Sequence, residues 1–212
     1  MDSRKRILVI SSKRPFPVQD GASIRTSQMI RMLSQIFEVD LVYTCNPYKT
    51  FADLTELRCF CRQISEFLEP KWKCVLRTLL GFFKSRPLQC SYFYSPRMMS
   101  YIQEHLSLYD YVFCNNIRTV PYVDGSKCNK IIDYVDAISM NYIGASLKAN
   151  WIWRLVYKFE ANRLISYENK VLKSFDKFII ISDVDRQFIL RHADLEISNK
   201  HIEVIGNRSE ER

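Results

Sequence analysis

The chain has 212 residues, 47% of them apolar and 25% charged, with only 5 glycines and 7 prolines. These values exclude a disordered or low-complexity chain and fit one α/β-sized globular domain with a sizeable core. The formal charge of +8 points to anionic partners, which are nucleic acid, a membrane surface or phosphorylated small molecules, with a plainly solvated basic surface as the alternative.

"ILVI" (Ile7–Ile10) reads as a short buried strand rich in branched residues. It runs into a long loop, "SSKRPFPVQDGASIRT", with two prolines and a single glycine. Ala22, Met29, Ile30, Leu33 and Phe37 then recur at roughly helical spacing, and "EVDLVY" (Glu38–Tyr43) predicts a second strand, parallel to the first. Residues 50–63 read as a helix and "ISEFL" as a weak strand. Residues 71–84 read as a helix stopped by Pro87, and 96–107 as a helix opened by Pro96. "DYVFCN" (Asp110–Asn115) and "NKIIDYV" (Asn129–Val135) are strands. A long helix follows over 152–174, then a strand "KFIII" (Lys177–Ile181), a helix Asp183–Arg191 and a final short strand "HIEVIG" (His201–Gly206). Strands alternating with helices predict an α/β, Rossmann-like fold: a mostly parallel sheet with helices on both faces.

The seven cysteines are scattered, no CxxC occurs, and none of the three histidines lies near a cysteine pair in sequence. Reduced thiols are expected, and no metal site. "MDSRKR" is followed by an apolar run only a strand long, so no signal peptide is expected. No stretch has the ~18 apolar residues of a membrane span. The expected location is cytoplasmic, peripheral at the inner face of the membrane if the basic surface docks there.

In such sheets ligands bind outside the carboxyl ends of the strands. The loop 11–26 lies at such an end, and the helix after it turns free N–H groups toward the same crevice, where a phosphate would suit them. Gly21 would let backbone approach a ligand closely. On its own, a glycine before a helix is a turn residue.

The order of these segments resembles the N-terminal domain of GT-B glycosyltransferases, specifically the retaining family four. "RILVISSKRPFPVQDGASIRTSQMIRMLSQIFEVDLVY" carries that family's opening, and "KSRPLQCSYFYSP", "YDYVFCNNIRTVPYV", "IIDYVDAIS" and "FEANRLISYENKVLKSFDKFIIISDVDRQFI" resemble successive blocks of its subgroup for bacterial surface polysaccharides. The resemblance spans residues 5–207. It implies an acceptor-side Rossmann-like domain over 1–207, with 208–212 a tail at which a nucleotide-sugar-binding domain, or a partner chain carrying it, would follow. The implied substrates are a nucleotide-sugar and a glycan or lipid-linked acceptor. No cofactor and no metal are implied.

Under the resemblance Gly21 matches the glycine that approaches the donor diphosphate, and Arg25, one turn on, could pair with a phosphate. Asn115 stands where relatives often carry a histidine. It can hydrogen-bond a sugar hydroxyl but cannot act as a base. Asp136, after the strand "IIDYV", would bind the acceptor hydroxyl as the second catalytic candidate, with capping of the next segment as the plain alternative. Ser182 and Asp183 read as a helix cap. Glu160, Arg163, Tyr167 and Glu168 echo the family pattern on one helix face, in a structural role.

Trp72, Val75, Leu76, Leu79, Leu80 and Phe83 form a helical stripe flanked by Lys71, Lys73, Arg77, Lys84 and Arg86. One reading is a core helix with a solvated basic side. The other is an interfacial helix resting on anionic lipid or on a lipid-diphosphate acceptor, with Trp72, Lys73, Arg77 and Lys84 as contacts. The leading expectation is thus half of a glycosyltransferase. The alternative is a non-catalytic module that docks on an anionic membrane or a partner subunit. Nucleic acid is not expected, because the basic residues are spread and no recognition motif occurs.

Overall fold

The structure is a computed structural model and describes residues 4–18, 20–46, 54–83, 86–197 and 199–206. Seven strands form one sheet: β1 (Arg6–Ser11), β2 (Glu38–Cys45), β3 (Gln63–Leu68), β4 (Tyr111–Asn115), β5 (Asn129–Asp133), β6 (Lys177–Ile180) and β7 (Glu203–Val204). Their spatial order is β3-β2-β1-β4-β5-β6-β7, and every pairing is parallel. The order reverses between β1 and β4, which makes the carboxyl ends of those two strands the topological switch point.

Burial on both faces explains why β1 reads as a continuous apolar run. Ile7, Leu8, Val9 and Ile10 are all fully buried. Leu8 and Ile10 join one core with Val112, Ile132, Leu164 and Phe178, while Ile7 and Val9 join the other with Met29, Ile30, Val39 and Leu41. That is the period-two division of a strand between two faces.

The helices are α1 (Gly21–Ser34), α2 (Thr55–Arg58), α3 (Lys71–Gly81), α4 (Leu88–Tyr92), α5 (Pro96–His105), α6 (Ile138–Lys148), α7 (Trp151–Ser174) and α8 (Asp183–Arg191). A capping box opens α1: Asp20 accepts from the Ser23 amide, and the Ser23 hydroxyl accepts from the Asp20 amide. The Ser182 side chain accepts from the Asp185 amide and caps α8, as its position suggests.

Four elements differ from the sequence expectation. The helix expected over 50–63 shrinks to α2, of which only Leu57 is buried, and residues 50–53 lie outside the described residues. α4 and α6 were not expected. α4 has five residues, too few for periodicity to register, and α6 carries Ser139, Asn141, Gly144 and Ser146 among its apolar residues. The last strand contracts to two residues, Glu203–Val204.

Candidate functional site

The long loop after β1 fills much of its own space. Phe16 is buried in the core beside Ile7 and Val9. Arg14 reaches Glu66 on β3 (Nη2 to Oε2, 2.6 Å), and the Tyr43 hydroxyl donates to the same oxygen at 2.7 Å. Gly21 begins α1 in open space: a Cβ built there meets nothing within 4 Å, and its backbone is not left-handed. The conformation does not itself require glycine. The N-terminus of α1 also carries its own anion. Asp20 is held down to about 2 by Lys13, whose Nζ lies 2.6 Å away, and by the Ser23 amide.

Arg25 does not face the crevice. It is 1% exposed. Its Nε and Nη2 donate to Asp133 at 2.6 and 2.8 Å, and its Nη1 donates to the carbonyl of Ile205. The arginine expected to pair with a phosphate is instead a buried tie between α1, β5 and the segment after β7. Asn115 is likewise turned inward. Its Nδ2 donates to Thr26 Oγ1 on α1 and, at 3.5 Å, to Ser11 Oγ on β1.

Beyond those ties the chain takes an uncommon path. Asn116 has φ 77° and Val135 has φ 66°, and among the described residues these are the non-glycine positions with positive φ. Asn116 comes directly after Asn115 and Val135 two residues after Asp133, and Asn115 and Asp133 face each other in the β4–β5 register. For a β-branched residue such a φ is a genuine outlier, and strain of this kind persists only where the surroundings enforce it. Here Val135 N–H donates to Asp133 Oδ1 (3.1 Å), its carbonyl accepts from Ile181 N–H, and Asn116 N–H donates to the carbonyl of Asp133.

The two bends bring together side chains from four elements. Asp136 is half-buried and accepts from Asn141 Nδ2 of α6 at 2.6 Å. It does not cap α6: the Ala137 amide donates to Asp185 instead (2.9 Å). Burial raises the Asp136 carboxyl above its ordinary pKa, Arg118 opposes the rise and Asp185 adds to it. Arg118 follows the bend at Asn116, in the 3-10 turn Ile117–Tyr122. Its Nε donates to Gln89 Oε1 (2.7 Å) and its plane lies over Phe93 at 4.7 Å. That leaves its two Nη groups without a hydrogen-bond partner among the described residues. Burial lowers the guanidinium pKa, as expected for a cation short of solvent. Gln89 is itself fixed by donating to the Tyr142 hydroxyl (3.0 Å). Sequence reading passed over Arg118, Gln89 and Tyr142. The one local signal is an arginine among the residues just past a strand end, "NNIRTVPYV", ahead of the apolar stretch "VPYV".

The acids of α7 are structural. Glu168 accepts from Ser139 Oγ (2.6 Å) and its amide (3.3 Å), and burial pushes its carboxyl up to about 7. Glu160 accepts from the Leu88 amide at the start of α4, and Arg163 donates to the carbonyls of Gly81 and Arg86. α7 is thereby tied to α6 and to the α3–α4 connection. Burial pushes the thiols of Cys61, Cys90 and Cys114 up to about 12, which makes them poor nucleophiles.

α3 is not a core helix. Trp72, Val75, Leu76, Leu79, Leu80 and Phe83 are 50–90% exposed, and only Cys74 and Gly81 are buried. Gly81 abuts α4 so closely that a Cβ there would collide with the Ser91 side chain. Lys73 is exposed with its ammonium 5.4 Å from the Trp72 ring centroid. Arg77 turns inward to Glu69. Lys84 lies outside the described residues.

These features define an α/β protein with a Rossmann-like fold, a seven-stranded all-parallel sheet of the kind found in one domain of GT-B glycosyltransferases. Among solved structures the chain resembles UGT73P12 of Glycyrrhiza uralensis, complexed with glycyrrhetinic acid 3-O-monoglucuronide, at 11% identity and a TM-score of 0.53. The match covers 97% of this chain and 49% of that one, so this chain spans about half of it. Sucrose-phosphate synthase of Thermosynechococcus elongatus aligns at 11% identity and a TM-score of 0.49, over 96% of this chain and 91% of that one. No protein-family model and no curated protein sequence matches the chain. Among the described residues no helix is long and apolar enough to cross a membrane, and no cluster of three or more His, Cys, Asp or Glu could hold a metal ion.

Proposed function

We propose that this chain is the acceptor-side half of a retaining, metal-independent glycosyltransferase of family four. It would take a sugar from a nucleotide-sugar held by a second domain and pass it to a lipid-linked or polysaccharide acceptor in the cytoplasm. The observation that carries the reading is the pair of strained bends at Asn116 and Val135. They sit at the carboxyl ends of neighbouring strands and present Arg118 and Asp136 beside the switch point.

In this reading Asp136 accepts a hydrogen bond from the acceptor hydroxyl and Asn141 fixes the carboxylate. The bond from the sugar carbon to the nucleotide phosphate breaks, the bond to the acceptor oxygen forms, and the hydroxyl proton leaves on the departing phosphate. Arg118 offers its two Nη amino groups, unpartnered among the described residues, to an anionic or hydroxyl-bearing part of the substrates. Gly21 leaves open space at the start of α1, where the donor diphosphate would lie. Arg25 and Asn115 hold the scaffold beneath the crevice and touch no substrate.

The test is transfer by the protein joined to its nucleotide-sugar domain. A panel of nucleotide-sugars and lipid-diphosphate glycans is followed by mass spectrometry, with Asp136→Asn and Arg118→Gln alongside. Product from the wild type, with losses of ~10²-fold or more in the variants, supports the reading. Variants that transfer like the wild type sink the site.

A further inference from the structure

We infer that α3 and the tip of the α6–α7 hairpin form a single surface that docks on an anionic phospholipid bilayer. The inference is independent of the transferase reading. It rests on three observations.

The first is the direction of the apolar side chains. An amphipathic helix normally turns its apolar stripe to the core, whereas α3 turns its stripe to solvent. The α6–α7 tip does the same: Leu147, Trp151, Ile152, Trp153 and Leu155 are 53–72% exposed. α7 has 24 residues, about 36 Å of helix, against roughly 13–20 Å for the neighbouring strands. Since α6 leaves the carboxyl end of β5 and α7 returns to the amino end of β6, the first turns of α7 overhang the sheet. The two patches are joined, because Phe82 after α3 stacks on Phe159 of α7 at 5.4 Å and Arg163 donates to the Gly81 carbonyl at 3.2 Å.

The second is charge. Segments 71–86 and 147–158 contain eight of the 31 basic residues and none of the 23 acidic ones, so the rest of the chain balances at 23 of each. The excess of positive charge thus falls in the sequence of the two segments that expose the apolar side chains, although Arg77 is paired with Glu69 and Lys84 lies outside the described residues. This surface pairs apolar groups with the exposed cations Lys71, Lys73, Lys148, Arg154 and Lys158, none of which has an acidic partner among the described residues, and that is the chemistry of an anionic lipid interface.

The third is the choice of aromatic residue. All three tryptophans, Trp72, Trp151 and Trp153, lie on this surface. Tryptophan favours the headgroup level of a bilayer, where one side of the ring is apolar and the other wet.

This placement also supplies the assay, because tryptophan fluorescence of the unaltered chain reports only on the proposed surface. Vesicles of phosphatidylcholine with phosphatidylglycerol are titrated in at low salt. Emission is expected to shift to the blue and the chain to sediment with the vesicles. Vesicles of phosphatidylcholine alone should bind at least tenfold more weakly, and rising salt should release the chain. Lys73→Gln with Lys158→Gln should weaken binding severalfold. Trp151→Ser with Trp153→Ser should abolish most of it while thermal melts stay unchanged, since both side chains are exposed. The inference is overturned by a folded chain that neither shifts nor sediments at low salt, or by equal binding to neutral vesicles. A concentration-dependent dimer that already shows blue-shifted emission without lipid also overturns it.

Discussion

Arg25 and Asp133, 108 positions apart in sequence, form a two-pronged ion pair in the interior, with both side chains no more than 1% exposed. The pair fastens α1 to the carboxyl end of β5, directly below the bend at Val135. Burial raises the Asp133 pKa, and the hydrogen bonds and charge of Arg25 hold the rise in check. Removing one partner leaves the other charge buried, at a cost of about 3–5 kcal/mol, whereas an apolar replacement of both is often tolerated. Arg25→Leu should therefore destabilise strongly in urea unfolding, and Arg25→Leu with Asp133→Leu should recover a large part of the loss. Arg25→Lys should not rescue fully, because a point charge cannot match the fork geometry. A single variant as stable as the wild type would show that the pair carries no weight.

Val135 makes the opposite prediction. Its left-handed backbone (φ 66°) is one that a β-branched side chain resists. Glycine adopts it freely, so Val135→Gly should relieve strain of about 1–3 kcal/mol while losing roughly 0.5–1 kcal/mol to unfolded-chain entropy. A small net gain in thermal stability is expected. If the bend serves to place Asp136, transfer should fall even as stability rises. A drop in stability would mean that the Val135 side chain contributes more by packing than the bend costs.

The pH profile of transfer separates Asp136 from Arg118. Burial lifts the Asp136 pKa, so the carboxylate needed to accept the substrate hydroxyl forms at a higher pH than an unperturbed aspartate would. Rate should rise along an acid limb displaced upward from that of an unperturbed aspartate. Arg118 lowers this pKa, so Arg118→Gln should move the limb to higher pH as well as lowering the plateau. Asp136→Asn should remove the limb. An unchanged limb in that variant would assign it to another group.

The fold was legible because its signals are local. "ILVI" announces a strand covered on both faces, and the alternation of strands with helices announces parallel pairing. The site was less legible because its parts are not local. Arg25 sits in a first helical turn, where solvent or a phosphate is a fair guess, and its actual partner is 108 positions away. Gln89, Arg118 and Tyr142 meet only through the packing of α4 and α6, elements without a strong period. The stripe on α3 shows the general limit: periodicity identifies an apolar face but does not say what covers it.

Glu168 offers a test of the interior itself. Its carboxyl is pushed up to about 7 by burial, with Asp136 and Asp185 adding to the rise and the Ser139 hydroxyl and amide opposing it. In the unfolded chain it titrates near its ordinary value of 4.5. Between those values the folded state binds the proton that the unfolded state has released. The contribution of Glu168 is therefore fully present below about 4.5 and is lost as pH rises through about 7. The loss amounts to roughly 3 kcal/mol. Asp133, Asp136 and Glu160 are also raised and act in the same direction, so the wild-type slope alone does not isolate Glu168. Comparison with Glu168→Gln does. Glutamine keeps an acceptor for Ser139 and cannot ionise. Urea unfolding at pH 5 and pH 8 should show a smaller decline in the variant, which should gain on the wild type at the higher pH. Identical declines in the two proteins would mean that Glu168 is ionised in the fold at both pH values and that its two bonds from Ser139 outweigh its burial.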